Sequence, residues 1–330
     1  MKMKATALAH PNIALVKYWG KRDDARILPH QSSLSVTLAP MHVTTTVEFG
    51  AVETDEVELN GAVAKGSEAA RVLVALDLIR ALAPKLGKAK VVSRGDFPAA
   101  AGLASSAAGF AALAVAGRAA AGLPRDVRAE SILARQGSGS ACRSIQGGVC
   151  VWRKGSALDG SDSVAEQAFT ESHWPQLRLV VAMVSREEKE VKSRDGMRNT
   201  VDTSVYYPAW AKNADAEINP ALAAIRAKDL QAIGELAERN AWRMHATALA
   251  ADPPLCYLKP ATLAVIQALA VERRAGRPMY FTLDAGPNPV ILTDEANELR
   301  AVELATQCGA IEVVRCHPGG DARLSSAHLF

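Results

Sequence analysis

Apolar and polar positions alternate from "ATALAHPNIALVKYWGK" through "SSLSVTLAPMHVTTTVEFG". A period of two in a stretch rich in Val, Thr and Leu predicts antiparallel strands, with turns near Asp23 and Pro29. The period then lengthens. In "SEAARVLVALDLIRALAPKLG" the apolar residues recur at helical spacing, which predicts an amphipathic helix running to Gly87, and "KAKVVSRGDF" returns to a strand. The next stretch, "DFPAAAGLASSAAGFAALAVA", is made almost wholly of small residues, yet a Pro, a Gly and two adjacent serines stand where a helix should open. A Ser-capped, Ala-rich core helix is the plainest reading of it.

Further along, "RDVRAESILARQG" is helical, and "SGSACRSIQGGVCVW" is a Ser/Gly-rich turn leading into a β-rich run that ends at Trp152. "LDGSDSVAEQAF" is expected as a surface loop and "LRLVVAMVS" as a buried strand. The charged run "REEKEVKSRDGM" is the best candidate for a boundary, giving domains 1–184 and 185–330. The second half is mostly helical through "ALAAIRAKDLQAIGELAERNAWRMHATALA" and "PATLAVIQALAVERRAG", with strands at "MYFTLDAGPNPVILT" and "AIEVVRCHP". Helices on one face of an antiparallel sheet place both halves in the α+β class.

Composition narrows the function classes. At 330 residues, 49% hydrophobic and 22% charged, the chain can bury a large core and has the length for two domains. With 38 basic against 35 acidic residues the net charge is only +3, which argues against a nucleic-acid or membrane-surface partner but leaves room for a local basic pocket. Five scattered cysteines without a CxxC pair suggest neither a disulfide framework nor a thiolate zinc site, and a reducing cytoplasm is expected. Pro11, Asn12 and Lys17 interrupt the apolar run near the N-terminus, so no signal peptide is expected, and no run is long enough to span a bilayer. The seven histidines form no HxxxH pair; His10 and His245 are expected to be structural or exposed.

Several segments have a chemical reading beside the structural one. Pro98 fixes φ and Gly102 permits close approach of a ligand, so the helix beyond them would present unpaired N–H groups and the Ser105 and Ser106 hydroxyls to a phosphate or a magnesium ion. No GK[ST] comes after the glycines, so this is not a Walker loop. In "NIALVKYWGKRD", strand alternation would send Lys17, Trp19 and Lys21 to one face, where two cations could converge on an anion; half-buried strand with solvated lysines is the bland alternative. In "SGSACRS", Ser138, Gly139 and Ser140 make a flexible turn beside Arg143, whose planar fork matches a carboxylate unless it pairs with a structural acid. "KSRDGM" would ordinarily be a solvated loop, and Asp284 in "LDAGPN" an Asx turn.

"PAAAGLASSAAG" resembles the phosphate loop of the GHMP kinase superfamily, which reads Pro, three residues, Gly-Leu-x-Ser-Ser-Ala. Within it, "NIALVKYWGKRD", "SGSACRSIQGG" and "LDAGPN", in that order with "SSLSVTL", "SRDGMRNTVDTS" and "HPGGDARL", are similar to the diphosphomevalonate decarboxylase branch over nearly the whole chain. The resemblance implies a ribosomal protein S5 domain 2-like N-terminal domain and a ferredoxin-like α/β sandwich, with the active site in the cleft between them. It implies ATP and magnesium on Gly102, Leu103, Ala104, Ser105, Ser106 and Ala107, with Ser106 toward the metal. Mevalonate 5-diphosphate would meet Tyr18, Trp19, Gly20 and Lys21, the segment Ser138, Gly139, Ser140, Ala141, Cys142 and Arg143, and Arg71, Ser193 and Arg194. Lys17, Arg143 and Asp284 would be catalytic. Asp284 would orient the 3-hydroxyl and take its proton, Lys17 would hold Asp284 ionised, and Arg143 would fix the carboxylate that leaves as carbon dioxide. A homodimer in the cytoplasm is implied too.

The chain departs from the branch at Lys192, where a small hydroxyl residue is common, at Leu283 for Phe, and at Gln31 for Asn. Rival readings are a phosphomevalonate decarboxylase or a mevalonate 3-kinase of the same branch. A non-catalytic metabolite-binding descendant should have lost the loop serines, the Lys or the Asp, and all three are present.

Overall fold

The computed structural model describes residues 4–97, 105–187 and 189–330. Pro98, Gly102, Leu103 and Ala104, the front of the expected phosphate loop, therefore lie outside the described residues.

The alternating N-terminal pattern forms β1 (Lys4–Ala9), β2 (Asn12–Val16), the short hairpin β3 (Lys21–Asp23) and β4 (Leu28–Pro29), then β5 (Ser33–Ala39) and β6 (Val43–Phe49). After β7 (Glu56–Leu59) and β8 (Ala62–Val63) comes α1 (Gly66–Leu82), succeeded by β9 (Ala89–Gly95), α2 (Ser105–Ala120) and α3 (Val127–Gly137). Helix α1 stops short of the expected Gly87 because Pro84 disfavours helical backbone at Ala83, whose N–H closes on the carbonyls of Ile79 and Arg80. Next are β10 (Val149–Trp152), β11 (Ala165–Phe169), β12 (Leu177–Met183), α4 (Ser193–Thr203), α5 (Tyr207–Ala214), α6 (Ile218–Ala227), α7 (Leu230–Leu249) and α8 (Pro260–Arg274). The chain finishes with β13 (Tyr280–Thr282), β14 (Val290–Asp294), α9 (Glu298–Gln307), β15 (Glu312–Pro318) and β16 (Arg323–Ser325). Part of the expected surface loop "LDGSDSVAEQAF" is thus a strand. β11 pairs with β10 at a sheet edge, and its alternating exposure suits that place.

One sheet runs β16-β1-β6-β9-β7-β8; α2 covers one of its faces, and α1 packs beside α2 in the same apolar core. Helix α2 lies directly on β1 and β6 because Ala107, Ala108, Ala111, Ala112, Ala114 and Ala116 are all buried and keep the backbones close. At Gly117 even a methyl would meet Ile79 Cδ1 at 2.5 Å. A larger side chain there would overpack the core, a change that typically costs ~1–3 kcal/mol.

The other large sheet runs β11-β10-β5-β15-β12-β14-β13, with β2 also on β5. It joins strands from both halves of the sequence. Its apolar centre gathers Ile13, Leu15, Val36, Leu179 and Val181 with Ile225, Ile233 and Leu236 from the helical layer. This sheet sets the ends of β2 and β13 beside each other, and that juxtaposition builds the site.

Candidate active site

Strand β2 ends at Val16, so the backbone N–H of Lys17 leaves the ladder; it donates instead to Asn240 Oδ1 at 2.8 Å. Gly20, with φ of +98°, then turns the chain before β3 begins at Lys21. A methyl at Gly20 would strike the Tyr207 hydroxyl, so both the left-handed backbone and the close approach require glycine. The expected alternation of Lys17, Trp19 and Lys21 on one face is therefore corrected: the strand breaks, and the two lysines take separate places. Lys21 pairs with exposed Asp24 at 2.5 Å on the cavity wall. Lys17 is buried, donating to the Ala14 carbonyl at 2.8 Å and to Asp284 Oδ1 at 2.6 Å.

Asp284 lies just past β13 and leaves 28% of its side chain exposed, against 1% for Lys17. Thr282 Oγ1 also donates to the Ala14 carbonyl, at 2.8 Å, so Ala14, Lys17, Asp284 and Thr282 close a ring that ties β2 to β13. Burial pulls the Lys17 ammonium below its ordinary pKa, and the carboxylate of Asp284 opposes that shift. His245, on α7, lies behind the pair. Burial and the charge of Lys17 push it down to about 4, and backbone hydrogen bonding at Leu283 and Asp284 partly offsets this. It is structural, as expected, and buried. His10 is likewise buried, with Nδ1 2.7 Å from the Met41 carbonyl oxygen.

The segment Gly139–Ser144 is a short 3₁₀ helix rather than a flexible turn. Ala141 N–H donates to the Ser138 carbonyl at 2.8 Å, and Asn12 Nδ2 donates to the Ser140 carbonyl at 3.1 Å. Arg143, 2% exposed, donates from Nε and Nη2 to Asn12 Oδ1 at 3.3 and 3.2 Å and from Nη1 to Ser33 Oγ at 2.6 Å. Among the described residues no carboxylate forms an ion pair with it, so its charge is solvated by neutral groups alone. Burial dominates the downward shift of its pKa, with Asp284 acting against it more weakly.

These parts surround a cavity of about 420 Å³. Three described helices begin on its wall: α1 at Ser67 and Glu68, α2 at Ser105 and Ser106, and α4 at Ser193, Arg194 and Asp195. Lys21, Arg71, Arg143, Lys189, Lys192 and Arg194 line it against only Glu68, Asp195 and Asp284 among the described acids, so the wall carries surplus positive charge. Helix N-termini add to that potential, and the combination suits a polyanion. Tyr18, Trp19, Ser138, Gly139 and Ser140 also line the cavity, and the Tyr18 hydroxyl is buried with no partner among the described residues.

Not every residue singled out from sequence reaches this space. Lys17 stands behind Asp284, Gly20 packs on Tyr207, and Ala107, Ala141 and Cys142 are core residues. Sequence reasoning missed Ser67, Glu68, Lys189 and Met244. Lys189 donates to the Ala285 carbonyl and, at 3.1 Å, to Ser193 Oγ. Its lysine sits in a run of charges that gives no hint which one turns inward. Of the three departures from the branch, Lys192 lines the cavity, Leu283 is buried in the core, and Gln31 is buried and donates to the Trp19 carbonyl at 3.0 Å.

A second cavity, of about 350 Å³, shares Glu68, Arg71, Ser105 and Ser106 with the first. Its wall is mostly apolar, with Leu59, Phe97, Phe110 and Leu113, and polar at Asn60 and Ser93. Ser106 Oγ lies 3.2 Å from Ser138 Oγ. No group of three or more His, Cys, Asp or Glu able to hold a metal occurs among the described residues.

The helices packed on two largely antiparallel sheets, together with the cationic cavity, define a two-domain α+β protein of the GHMP kinase fold. Residues 9–165 match the diphosphomevalonate decarboxylase-like N-terminal domain and residues 179–315 the mevalonate 5-diphosphate decarboxylase C-terminal domain. Diphosphomevalonate decarboxylase mvd1 of Aspergillus fumigatus is 41% identical over 307 residues, which is 87% of this chain and 76% of that protein. The crystal structure of mevalonate diphosphate decarboxylase from Staphylococcus aureus superposes with a TM-score of 0.92 at 36% identity, covering 99% of both chains. A complex of the enzyme MDDEF with MVAPP, AMPPCP and magnesium does so at 0.90 and 39%, covering 98% of this chain and 99% of that one. The chain belongs to the diphosphomevalonate decarboxylase family.

Proposed function

We propose that Asp284, Lys17 and Arg143 carry the ATP-dependent decarboxylation of mevalonate 5-diphosphate to isopentenyl diphosphate, ADP, phosphate and carbon dioxide. The observation that carries this assignment is a cavity with surplus positive charge, holding one ion-paired carboxylate and one buried guanidinium that lacks an acidic partner among the described residues.

Each residue has a part its surroundings support. Asp284 faces the cavity and is the carboxylate that would accept the 3-hydroxyl proton as the γ-phosphoryl of ATP is transferred; phosphoryl transfer asks chiefly for positioning and charge stabilisation. Lys17, locked by the Ala14 carbonyl, keeps that carboxylate in place and offsets charge at the reacting centre. Arg143 presents its fork to the substrate carboxylate. When the 3-phosphate leaves the tertiary carbon, positive charge develops there. The C–C bond to the held carboxylate breaks, carbon dioxide departs, and the freed electron pair forms the alkene.

Tyr18, Lys21, Arg71, Ser193 and Arg194 would hold the diphosphate, with the α4 N-terminus behind it. Ser105 and Ser106, at the α2 N-terminus, would hold the ATP phosphates, with the nucleoside in the second, more apolar cavity. Ser106 would lie toward magnesium, which when bound neutralises phosphate charge. Five free thiols suit a reducing, cytoplasmic location, and the implied homodimer is open to light scattering. No described helix is long and apolar enough to cross a membrane.

Purified protein with ATP, magnesium and mevalonate 5-diphosphate should release ADP, phosphate and carbon dioxide in equal amounts. ADP without carbon dioxide would make it a 3-kinase, and turnover of the 5-monophosphate alone would move it to the phosphomevalonate branch. No turnover of any of these substrates would leave a binding protein.

A further inference from the structure

Helix α7 reaches the site without lining it except at Met244, yet two of its side chains meet the reacting pair from behind: His245 at the backbone of Leu283 and Asp284, and Asn240 at the amide of Lys17. Asn240 is completely buried. It accepts from the Lys17 N–H through Oδ1 and donates through Nδ2 to Glu217 Oε2. A backbone N–H can only donate and a carboxylate can only accept, so the two partners fix which way the Asn240 amide faces. Glu217 is fixed in turn: its other oxygen, Oε1, takes Arg243 at 2.6 Å and Arg239 at 3.4 Å. The segment that carries Glu217 is also tied to the first half of the chain. Asp215 accepts from the Ser32 N–H at 2.6 Å and pairs with Lys154 at 2.6 Å.

We propose that Asn240, oriented by Glu217, is a positioning residue that sets the backbone of Lys17 where β2 ends and so holds the ammonium against Asp284. The physical need is specific to this place. Lys17 is the first residue past the ladder, its amide is buried, and a buried N–H left unpaired loses its water without regaining a partner. A Lys17 backbone free to rotate would also loosen the Nζ contact to the Ala14 carbonyl, which lies only three residues back. The Asn240 side chain bonds to the Lys17 amide and to Glu217, not to the ammonium or to Asp284, so it acts through the Lys17 main chain. The inference rests on the reading of Lys17 and Asp284 as the reacting pair.

The test is a swap. Asn240→Leu should lower kcat by about 10- to 100-fold while KM for ATP and for mevalonate 5-diphosphate stays within about threefold, because placement of the reacting pair is lost rather than binding. Asn240→Asp keeps an acceptor for Lys17 but sets a carboxylate against Glu217, and should lose a similar factor. The double variant Asn240→Asp with Glu217→Gln restores one donor and one acceptor between the two positions, and kcat should return to within about threefold of the wild-type value.

A double variant no more active than Asn240→Asp overturns the proposal, and so does a folded Asn240→Leu with kcat within about twofold of wild type. If Asn240→Leu does not fold, the swap decides alone. A merely structural role would lower the melting temperature without splitting kcat from KM. Failure of the underlying reading appears separately, as full activity in Asp284→Asn.

Discussion

Lys17 and Arg143 are both buried cations, 1% and 2% exposed, and burial is the chief influence on the pKa of each. Their partners differ. Lys17 spends its charge inside the protein, on Asp284 at 2.6 Å. Arg143 meets Asn12 and Ser33, which are neutral, and the face of Trp152 at 5.9 Å. A buried charge is tolerated when paired and costly when not, so the second arrangement is stable only because dipoles and a π face solvate it. The first pair is complete before any ligand arrives. The second leaves a guanidinium without a counter-charge among the described residues, which is what the proposed capture of the substrate carboxylate requires.

The largest way to break this contrast is Asp284→Asn. It should lower kcat by about 10³-fold or more with KM changed only a few-fold, measured by coupled ADP release. It also strips Lys17 of its counter-charge, and removing one partner of a buried pair typically costs ~3–5 kcal/mol, visible as a lower melting temperature. A variant keeping most of its rate would reduce Asp284 to the turn residue whose carbonyl accepts from Gly286 N–H. Next in size, Arg143→Lys keeps the charge and loses the fork; kcat/KM should fall about 100-fold, and a change under about threefold would refute bidentate capture.

The pairing of Lys17 with Asp284 also depends on His245 staying neutral, since a charged ring would repel the Lys17 ammonium. Its pKa is lowered from 6.5 to about 4, so the stability gained from a neutral ring is whole above pH 6.5 and is lost as pH falls toward 4. The full swing corresponds to about 3 kcal/mol. The melting temperature of the wild type should therefore fall more steeply between about pH 7 and pH 4.5 than that of His245→Gln, and parallel curves would contradict this. The smallest effect is expected at Gly139→Ala. The new methyl would meet the Tyr18 ring at 2.8 Å and displace it, so KM for the diphosphate should rise several-fold with kcat nearly unchanged. An unchanged KM would remove Tyr18 from the binding wall.

How much of this was legible in the chain varies from segment to segment. Alternation located β1, β5 and β6, and helical spacing located α1, α3, α7 and α8, because those periods reflect one-sided burial. Arg143 drew notice as a planar cation in a Ser/Gly segment, whereas Asp284 read as an Asx turn until the family resemblance gave it a role. By strand alternation Lys17 and Lys21 looked equivalent; the family resemblance gave them different roles, and the turn at Gly20 gives them different places, Lys17 against Asp284 and Lys21 against Asp24. Lys189 was invisible among seven charged neighbours in "REEKEVKSRDGM", since a charge run reads as solvated until something folds over it.

By itself, then, the sequence determined the class of the fold, the small-residue helix that can lie flat on a sheet, and the residue types for binding a phosphorylated acid. The first two come from local periodicity, and the last from side-chain chemistry read through the resemblance of the motifs to a known family. The tertiary structure decided which charges meet. Lys17 and Asp284 are 267 positions apart and Lys17 and Asn240 are 223 apart, and each pair forms only because β2 ends beside β13 and beneath α7. Contact across such distances is settled by packing of the whole chain, and no local pattern encodes it.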